Sequence, residues 1–249
     1  MQLMPPPFSQ GWVGNIRKLA AARWWDGTSI NRVQDNYVVQ WGDATEKKAL
    51  PIGLVTVPQA NYVTGRDAVV RDDPASPPVI INWARVYGST PFTGGPLETL
   101  KNGWHLAYGD RKFWPVHCYG MVGVGRDMPP NTGTGAERYT VIGHAPRHLD
   151  RNIALVGRVI SGIEHLSSLP RGTGDLGFYK TPEERTGITS VRIGTDVAGL
   201  PRYEYLSTES SSFARYADAR ANRRDPFFIV PAGGADICNI PVPVRVAKG

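Results

Sequence analysis

Apolar residues along the chain occur in short runs separated by glycine and proline, and few of these runs have helical spacing. One helix is predicted over residues 8–25, where apolar positions recur every three or four residues and Ser9 is a candidate N-cap. Shorter helical patterns cover residues 160–166 and 210–224. Alternating or continuous apolar runs predict strands over residues 29–33, 37–41, 116–125, 139–143, 153–159 and 190–193. The pattern is typical of a mainly β protein.

Residues 44–115 interrupt this pattern, because they are rich in proline and glycine and hold one candidate strand, residues 79–81. We therefore predict a long irregular insertion, and the sequence leaves equally open whether it has a function or only packs on the surface. The last segment, residues 198–249, is an extension in which proline keeps residues 239–244 extended. The predicted organisation is a single domain over residues 1–249.

The composition excludes several classes of protein. With 41% hydrophobic and 20% charged residues the chain is not disordered, and no apolar run is long enough for a membrane-spanning helix. The net charge of +6 is scattered, and its densest cluster is Arg220, Arg223 and Arg224. Nucleic-acid surfaces concentrate basic residues in a stripe with interleaved aromatic residues. The sequence shows no such stripe, so we expect no nucleic-acid partner.

Familiar motifs for metal, phosphate or nucleophile chemistry are absent from the sequence. The glycines of residues 120–125 are in the wrong order for a dinucleotide loop and lie within a predicted strand. A proline between His144 and His148 keeps these histidines off a shared helix face. Cys118 and Cys238 have no metal-binding spacing, and the sequence leaves open whether they form a disulfide. We therefore expect neither a metal nor a cofactor.

Four segments occur in an order and at a spacing that match one protein family. The first is residues 13–19 with W-D-G-T at 25–28, similar to the family's first helix and Y-D-G-T turn. The second is N-R-V-Q-D-N-Y-V-V-Q-W-G-D at 31–43, similar to H-R-V-I-x-G-F-x-x-Q-G-G-D, and the third is residues 120–139 with P-N-T at 130–132 and Gly135, similar to G-P-N-T-x-G-S-Q-F-F. The fourth is L-D at 149–150 with V-G-R-V at 156–159 and Gly162, similar to L-D-G-x-x-x-V-F-G-x-V-x-x-G. Together they resemble the cyclophilin family of peptidyl-prolyl isomerases.

The resemblance implies a closed antiparallel β-barrel capped by helices, with its core in about residues 8–43 and 116–197. The chain departs from the family motifs with Asn31 for His, Ala136-Glu137-Arg138-Tyr139 for S-Q-F-F, and His148 for Trp. Only the end of the family's first strand is present, at residues 2–4, which suggests that an N-terminal segment was removed. We therefore expect a periplasmic or secreted protein if that segment is a signal peptide, and a cytoplasmic protein otherwise.

The activity that the resemblance implies is isomerisation of X-Pro bonds in protein substrates. Rotation about a peptide bond has a barrier of about 18–20 kcal/mol, because the nitrogen is conjugated with the carbonyl. In the twisted amide the prolyl nitrogen has a basic lone pair, so a hydrogen-bond donor aimed at it lowers the barrier. The resemblance assigns this donor role to Arg32, whose guanidinium stays charged. It assigns to Gln40 a hydrogen bond to the substrate and the steadying of Arg32.

The other site residues implied by the resemblance bind the substrate. They are Tyr37, Val38, Tyr139 and Leu149 in the proline pocket, His148 at its rim, and Gly125 and Arg126 along the substrate backbone. We expect the charge of Arg126 to favour acidic residues beside the proline. Strict strand alternation places Tyr37 and Gln40 on opposite faces, so a bulge or a local twist is required.

A second hypothesis is a non-catalytic module or holdase that binds proline-containing peptides in the same groove. The substitutions at Asn31, at residues 137–139 and at His148 favour it, whereas the presence of Arg32 and Gln40 favours catalysis. Under either hypothesis the partners are proline-containing polypeptides, and a monomer is expected.

Overall fold

A computed structural model describes residues 1–69 and 97–248 of the chain. The chain divides into two compact units: Met1–Val63 with His117–Leu200, and Thr64–Val116 with Pro201–Gly249. Residues 44–63 of the predicted insertion thus belong to the first unit. The predicted strand at residues 79–81 lies outside the described residues. Within those residues, no helix is both long and apolar enough to cross a membrane.

The described helices and strands are short, as the frequent glycine and proline breaks predict. In chain order they are β1 (Gln2–Leu3), α1 (Gln10–Ala21), β2 (Ser29–Val33), β3 (Val38–Gly42), β4 (Thr64–Gly65), α2 (Arg66–Val69), β5 (Leu97–Lys101), β6 (Trp104–Gly109), β7 (Lys112–Pro115), β8 (Met121–Val124), β9 (Arg138–Val141), β10 (Leu155–Arg158), α3 (Ile163–Ser167), β11 (Thr186–Gly187), β12 (Tyr203–Tyr205), α4 (Ser211–Ala221) and β13 (Val244–Val246). The mainly β class is confirmed, and each predicted helix is present.

Helix α1 forms because one of its faces is apolar. Trp12, Ile16 and Leu19 on that face are buried, and burial of such a stripe is what stabilises a short helix in a protein. Ser9 stands at the N-cap position, but its backbone is left-handed, with a φ of 55°, and its side chain makes no capping hydrogen bond. The prediction that Ser9 caps the helix is therefore wrong, and the helix is stabilised by packing rather than by capping.

Seven strands of the first unit form one antiparallel sheet, in the order β1-β10-β8-β9-β3-β2-β11. Its central strands carry alternating buried residues, so that Ile30, Val33 and Val39 pack in one cluster and Val38 and Val141 pack in another. The described pairings leave β1 and β11 as the edges of the sheet. Closure into a barrel therefore stays a prediction.

The second unit contains regular structure where the sequence predicted an irregular insertion. Strands β5, β6 and β7 form an antiparallel meander, with β4 at its edge. Asn102 and Gly103 connect β5 to β6 with positive φ angles of 52° and 78°, which is the Asn-Gly hairpin turn. Asp110 and Arg111 connect β6 to β7 in the same way, with φ angles of 49° and 60°. The prediction of an irregular insertion is wrong for residues 97–115, because it rested on the proline and glycine content and gave no weight to the turn at Asn102 and Gly103.

The C-terminal extension contributes the predicted helix as α4, and there Ser210 does cap the helix by accepting a hydrogen bond from the Phe213 amide at 3.1 Å. Strands β12 and β13 pair with one another in the same unit. Neither Cys118 nor Cys238 is a free thiol.

The prediction of a strand over residues 190–193 is wrong. Alternate residues there are half-buried, as in a strand, with Val191 and Ile193 less exposed than Ser190 and Arg192. The sheet takes its edge strand from β11 instead, which pairs with β2 through Thr186 and Gly187. Half-burial of an extended segment thus produced the alternating pattern without a ladder of backbone hydrogen bonds.

Candidate active site

Arg32, Gln40 and Tyr139 lie in one row across β2, β3 and β9, because Arg32 is paired with Gln40 and Gln40 with Tyr139. Directly opposed residues of antiparallel strands project from the same face of the sheet. Val38 and Val141 are paired two residues along from this row and share its face. The strand register therefore places Arg32 and Gln40, the predicted catalytic residues, on one surface with the predicted pocket residues Val38 and Tyr139.

Tyr37 reaches the same surface because it is not part of β3. It ends a turn in which Asn36 has a left-handed φ of 50°, so strand alternation does not determine its direction. Its ring centroid lies 5.6 Å from Cζ of Arg32. A register shift is also present, but in β2, between Ile30 and Arg32. The irregularity that the sequence required is therefore the turn at Asn36, which leaves Tyr37 outside β3.

The guanidinium of Arg32 is held by neutral acceptors. Nε donates to the Leu176 carbonyl oxygen at 2.7 Å, one Nη donates to Oε1 of Gln34, and the other lies 3.4 Å from Oε1 of Gln40. The ring of Phe178 lies 5.2 Å from Cζ. Burial lowers the pKa of Arg32, and Tyr37 opposes this shift. Because none of these partners is a carboxylate, the positive charge is oriented without being neutralised.

An apolar cluster adjoins Arg32. Val38, Tyr139 and Val141 are its buried members, and Tyr37, Leu149 and Ile153 pack against them half-buried. The His148 ring is stacked on Tyr37, with ring centroids 6.0 Å apart, and its Nε2 lies 3.5 Å from the Tyr37 hydroxyl. The structure thus brings together all five residues predicted to form the proline pocket and its rim.

Tyr139 is fixed by a buried hydrogen-bond chain. Its hydroxyl lies 2.8 Å from Nε2 of His117, and Nδ1 of His117 lies 2.7 Å from Oδ1 of Asp150. Asp150 also accepts from the His117 amide at 3.0 Å and from Nε of Arg147 at 2.7 Å. A side chain at Gly123 would place its Cβ 2.2 Å from the Tyr139 ring. The ring is therefore oriented by His117 and has room only because position 123 is glycine.

The protonation states of this chain follow from its geometry. Burial lowers the pKa of His117, although Asp150 opposes the shift. Burial also opposes ionisation of Asp150, but hydrogen bonds and charge from His117 and Arg147 lower its pKa on balance. A carboxylate only accepts, so neutral His117 donates from Nδ1 and accepts the Tyr139 hydroxyl proton at Nε2. Burial raises the pKa of Tyr139 well above its usual value, so the phenol stays neutral.

A cavity of about 600 Å³ lies beside the row, and its lining includes four residues of the predicted site: Arg32, Gln40, Gly125 and Arg126. Arg126 is half-buried, and its guanidinium donates to the carbonyl oxygens of Asn152 at 2.9 and 3.1 Å and of Asp127 at 2.7 Å. Its charge, like that of Arg32, is held by carbonyl groups. The cavity is therefore bordered by these two oriented cations, and its lining also includes Lys48 and the acidic residues Asp43, Glu46, Asp127 and Glu137.

Glu137 also lines this cavity, and the sequence did not assign it a role. Its Oε1 accepts a hydrogen bond from the Asp43 amide at 2.7 Å. Burial raises the pKa of Glu137 to about 7; the Asp43 amide and Arg138 oppose the shift, and the charges of Asp43 and Glu46 add to it. The acid thus changes charge near neutral pH on the wall of the cavity.

Glu137→Gln is expected to remove part of the pH dependence of stability. The pKa of Glu137 is 4.5 in the unfolded chain and about 7 in the folded chain. Protonated Glu137 therefore contributes its full stabilisation below pH 4.5, and this contribution is lost as the pH rises through about 7. Between pH 4.5 and pH 8 the wild type should lose about 3 kcal/mol relative to the variant, which keeps an amide acceptor for the Asp43 amide. Urea unfolding at both pH values measures this. Glu164→Gln, at an exposed glutamate, is the control, and equal losses in both variants would contradict the assignment.

Residues far apart in sequence supplied the features that sequence analysis missed. The sequence assigned no role to His117, and it indicated Asp150 only as part of the L-D motif. Leu176 and Phe178 carried no signal, because their contacts with Arg32 depend on the return of the chain after α3. Among the described residues there is no cluster of three or more His, Cys, Asp or Glu that is able to hold a metal ion.

Comparisons with known proteins bear on the family and the fold of this chain. Residues 12–193 match the family model described as cyclophilin type peptidyl-prolyl cis-trans isomerase/CLD. The crystal structure of the cyclophilin AquaCyp293 from Hirschia baltica is similar, with a TM-score of 0.69 and 22% identity over 99% of this chain and 86% of that one. A Cryptosporidium parvum cyclophilin type peptidyl-prolyl cis-trans isomerase, in the presence of the dipeptide Ala-Pro, has a TM-score of 0.34 and 12% identity over 64% of this chain and 73% of that one. The search of curated proteins finds no match.

Proposed function

We propose, because this chain belongs to the cyclophilin type peptidyl-prolyl cis-trans isomerase family, that its reaction takes place at the Arg32–Gln40–Tyr139 row. Members of this family bind proline-containing peptides and catalyse rotation of X-Pro bonds, so the chain is a peptidyl-prolyl isomerase. The proposal concerns how this particular site carries out that reaction. It follows from three properties of the row, namely an oriented cation, an apolar pocket and a bordering cavity.

Arg32 stabilises the twisted amide. When the X-Pro bond rotates, the prolyl nitrogen loses conjugation and becomes a hydrogen-bond acceptor. A guanidinium N–H directed at that nitrogen interacts with the twisted state and not with the planar ground state, which is the requirement for catalysis. Leu176, Gln34 and Gln40 hold the guanidinium without neutralising it, so no carboxylate has to be displaced. No proton is transferred and no covalent bond changes.

The apolar cluster around Tyr139 binds the pyrrolidine ring. Tyr37, Val38 and Leu149 surround the Tyr139 ring, and burial of the proline there excludes water from the rotating bond. The Tyr139 hydroxyl donates to the buried His117 ring, which satisfies the phenol. Tyr139 is therefore able to line the pocket where the family motif has phenylalanine, because its hydroxyl has a buried hydrogen-bond partner.

The single observation that carries the proposal is the register of β2, β3 and β9. It places a charged donor, its polar neighbour and the floor of an apolar pocket side by side. An ordinary surface arginine does not require such an arrangement.

A protease-coupled assay on an X-Pro tetrapeptide tests the function. The protease cleaves only the trans isomer, so the slow phase reports cis-to-trans rotation, which without a catalyst takes tens of seconds. We expect the rate of the slow phase to increase in proportion to the concentration of the chain. An unlabelled X-Pro peptide should lower this rate by competition, whereas a control peptide with alanine in place of proline should leave the rate unchanged. A folded chain that binds the X-Pro peptide without accelerating rotation would instead support the binding module or holdase.

The charge of Arg126 is expected to influence which peptides are turned over. Its guanidinium borders the cavity beside Arg32, and its hydrogen bonds go to carbonyl groups rather than to a carboxylate. An acidic residue of the substrate is therefore able to pair with it. Arg126→Ala should lower kcat/KM for a peptide with Glu beside the X-Pro bond by about threefold more than for the matched Lys peptide, the size of a partly exposed ion pair. Arg126→Lys should retain most of the preference. Equal losses for both peptides would contradict a role in specificity.

A further inference from the structure

The opposite face of the sheet carries a second cavity, of about 720 Å³. It lies between α1, the strands β2 and β3, and the extended segment that follows β11. Its walls are mostly apolar, with Ile16, Ile30, Trp41, Leu166, Ile188 and Val191 among the lining residues. A volume of this size is typical of small-molecule sites in proteins.

Arg138 lines this cavity. It follows Glu137 and precedes Tyr139 in the chain, so its side chain projects from the face opposite to the Tyr139 ring. Its strand partner is Trp41, and its Cζ lies 3.9 Å from the Trp25 ring centroid and 5.4 Å from the Trp41 ring centroid. The family motif has an apolar phenylalanine here. The chain has therefore placed a cation between two indoles in the interior of the first unit.

The charge of Arg138 is incompletely compensated. The residue is only 2% exposed, and its Nε has no hydrogen-bond partner among the residues that the structure describes. Burial lowers the pKa of Arg138 to about 9, and Glu137 opposes this shift, so the guanidinium is charged at neutral pH. A buried charge without a hydrogen-bonded partner is costly. The two indole rings offset part of that cost, but they leave the Nε hydrogen without an acceptor.

The other charged groups of the cavity are cationic too. Arg192 is paired with Asp26 through two hydrogen bonds of 2.6 Å, and Arg17 is exposed. None of the described residues that line the cavity is acidic. An apolar cavity with a buried, unpartnered cation and no acid in its wall has the polarity that complements an anion attached to an apolar body.

We propose that this cavity binds an amphipathic carboxylate, a molecule with one carboxylate and an apolar body, whose carboxylate accepts hydrogen bonds from Arg138. The carboxylate satisfies the guanidinium, and the apolar body fills the space between Ile16, Ile30 and Leu166. The site is separate from the isomerase row, because Arg138 and Tyr139 project from opposite faces of β9. The proposal therefore does not depend on where the isomerase reaction takes place.

Isothermal titration calorimetry of the full chain tests the site with three probes. Octanoate has both the charge and the apolar body, octan-1-ol has only the body, and acetate has only the charge. We expect octanoate to bind about tenfold or more tighter than either of the others, since a hydrogen bond to a charged group contributes that much. Octan-1-ol binding as tightly as octanoate would overturn the proposal, as would no detectable octanoate binding at millimolar concentration.

Arg138→Met tests the assigned residue. The substitution replaces a buried cation with an apolar side chain of similar length, so the variant should fold at least as stably as the wild type, which thermal unfolding checks. Octanoate should then bind no tighter than octan-1-ol. Arg17→Met removes an exposed arginine at the same cavity and is the matched control, for which the preference should persist. An unchanged octanoate affinity in Arg138→Met would show that the arginine is purely structural.

Discussion

Arg32→Ala is expected to lower kcat/KM for X-Pro isomerisation by about 10²–10³-fold, the effect of losing one oriented donor at a transition state. The guanidinium is held by Leu176 and Gln34 and lies beside Gln40, so it needs little reorganisation when the amide twists. In the proposed mechanism the donor contacts the twisted state and not the planar one, so the loss should be mainly in kcat. The protease-coupled assay at several peptide concentrations separates kcat from KM.

Two further variants make this result specific to Arg32. Arg32→Lys keeps the charge but not the planar fork of donors, and it should recover only a small part of the activity. Arg171→Ala removes an exposed arginine that is paired with Asp35, and it should leave kcat/KM within about twofold of the wild type, as for a surface ion pair. If folded Arg32→Ala retains more than a third of the wild-type activity, the donor role belongs to another residue.

Asp150→Ala is expected to lower the free energy of unfolding of the first unit by about 3 kcal/mol. Asp150 is 8% exposed and accepts three hydrogen bonds, two from His117 and one from Arg147. Removing the carboxylate leaves buried donors of His117 unsatisfied, which costs about 1–3 kcal/mol for each group. It also releases the ring that orients Tyr139. Urea unfolding followed by tryptophan fluorescence measures the change.

The pH dependence of this effect has a definite sign. Folding lowers the pKa of Asp150 below its unfolded value of 3.8. Its contribution is therefore fully present above pH 3.8 and is lost as pH falls through the lower, folded pKa. The stability difference between wild type and Asp150→Ala should be constant from pH 5 to pH 7 and shrink in stronger acid.

Tyr139→Phe is the matched control for the buried chain. It removes only the hydroxyl at the far end and restores the residue of the family motif, so it should cost about 1 kcal/mol and retain most of the activity. A cost for Asp150→Ala no larger than that for Tyr139→Phe would show that Asp150 does not hold the chain together.

Local patterns in the sequence were sufficient to predict most of the first unit. Helical spacing predicted α1, and period-two patterns predicted β2 and β3, because both depend on neighbours within a few residues. The motif around residues 31–43 placed Arg32 and Gln40 eight residues apart on two strands, and the observed register makes them partners. The same local reasoning failed at residues 190–193, where an alternating segment has a half-buried face but forms no strand.

The tertiary structure alone decided the features that depend on residues distant in sequence. The Leu176 carbonyl that orients Arg32 is 144 residues away from it, and the His117–Asp150 pair that orients Tyr139 is separated by 33 residues. The predicted strand began at Tyr139, so only the structure showed that Arg138 belongs to β9 and projects from the opposite face, toward two tryptophans. Burial, partner and pKa are properties of the packed environment, and several segments build that environment jointly. The sequence by itself thus determined most elements of the first unit and the candidate catalytic pair, and packing decided the orientation of Arg32 and the charge of Glu137 and Arg138.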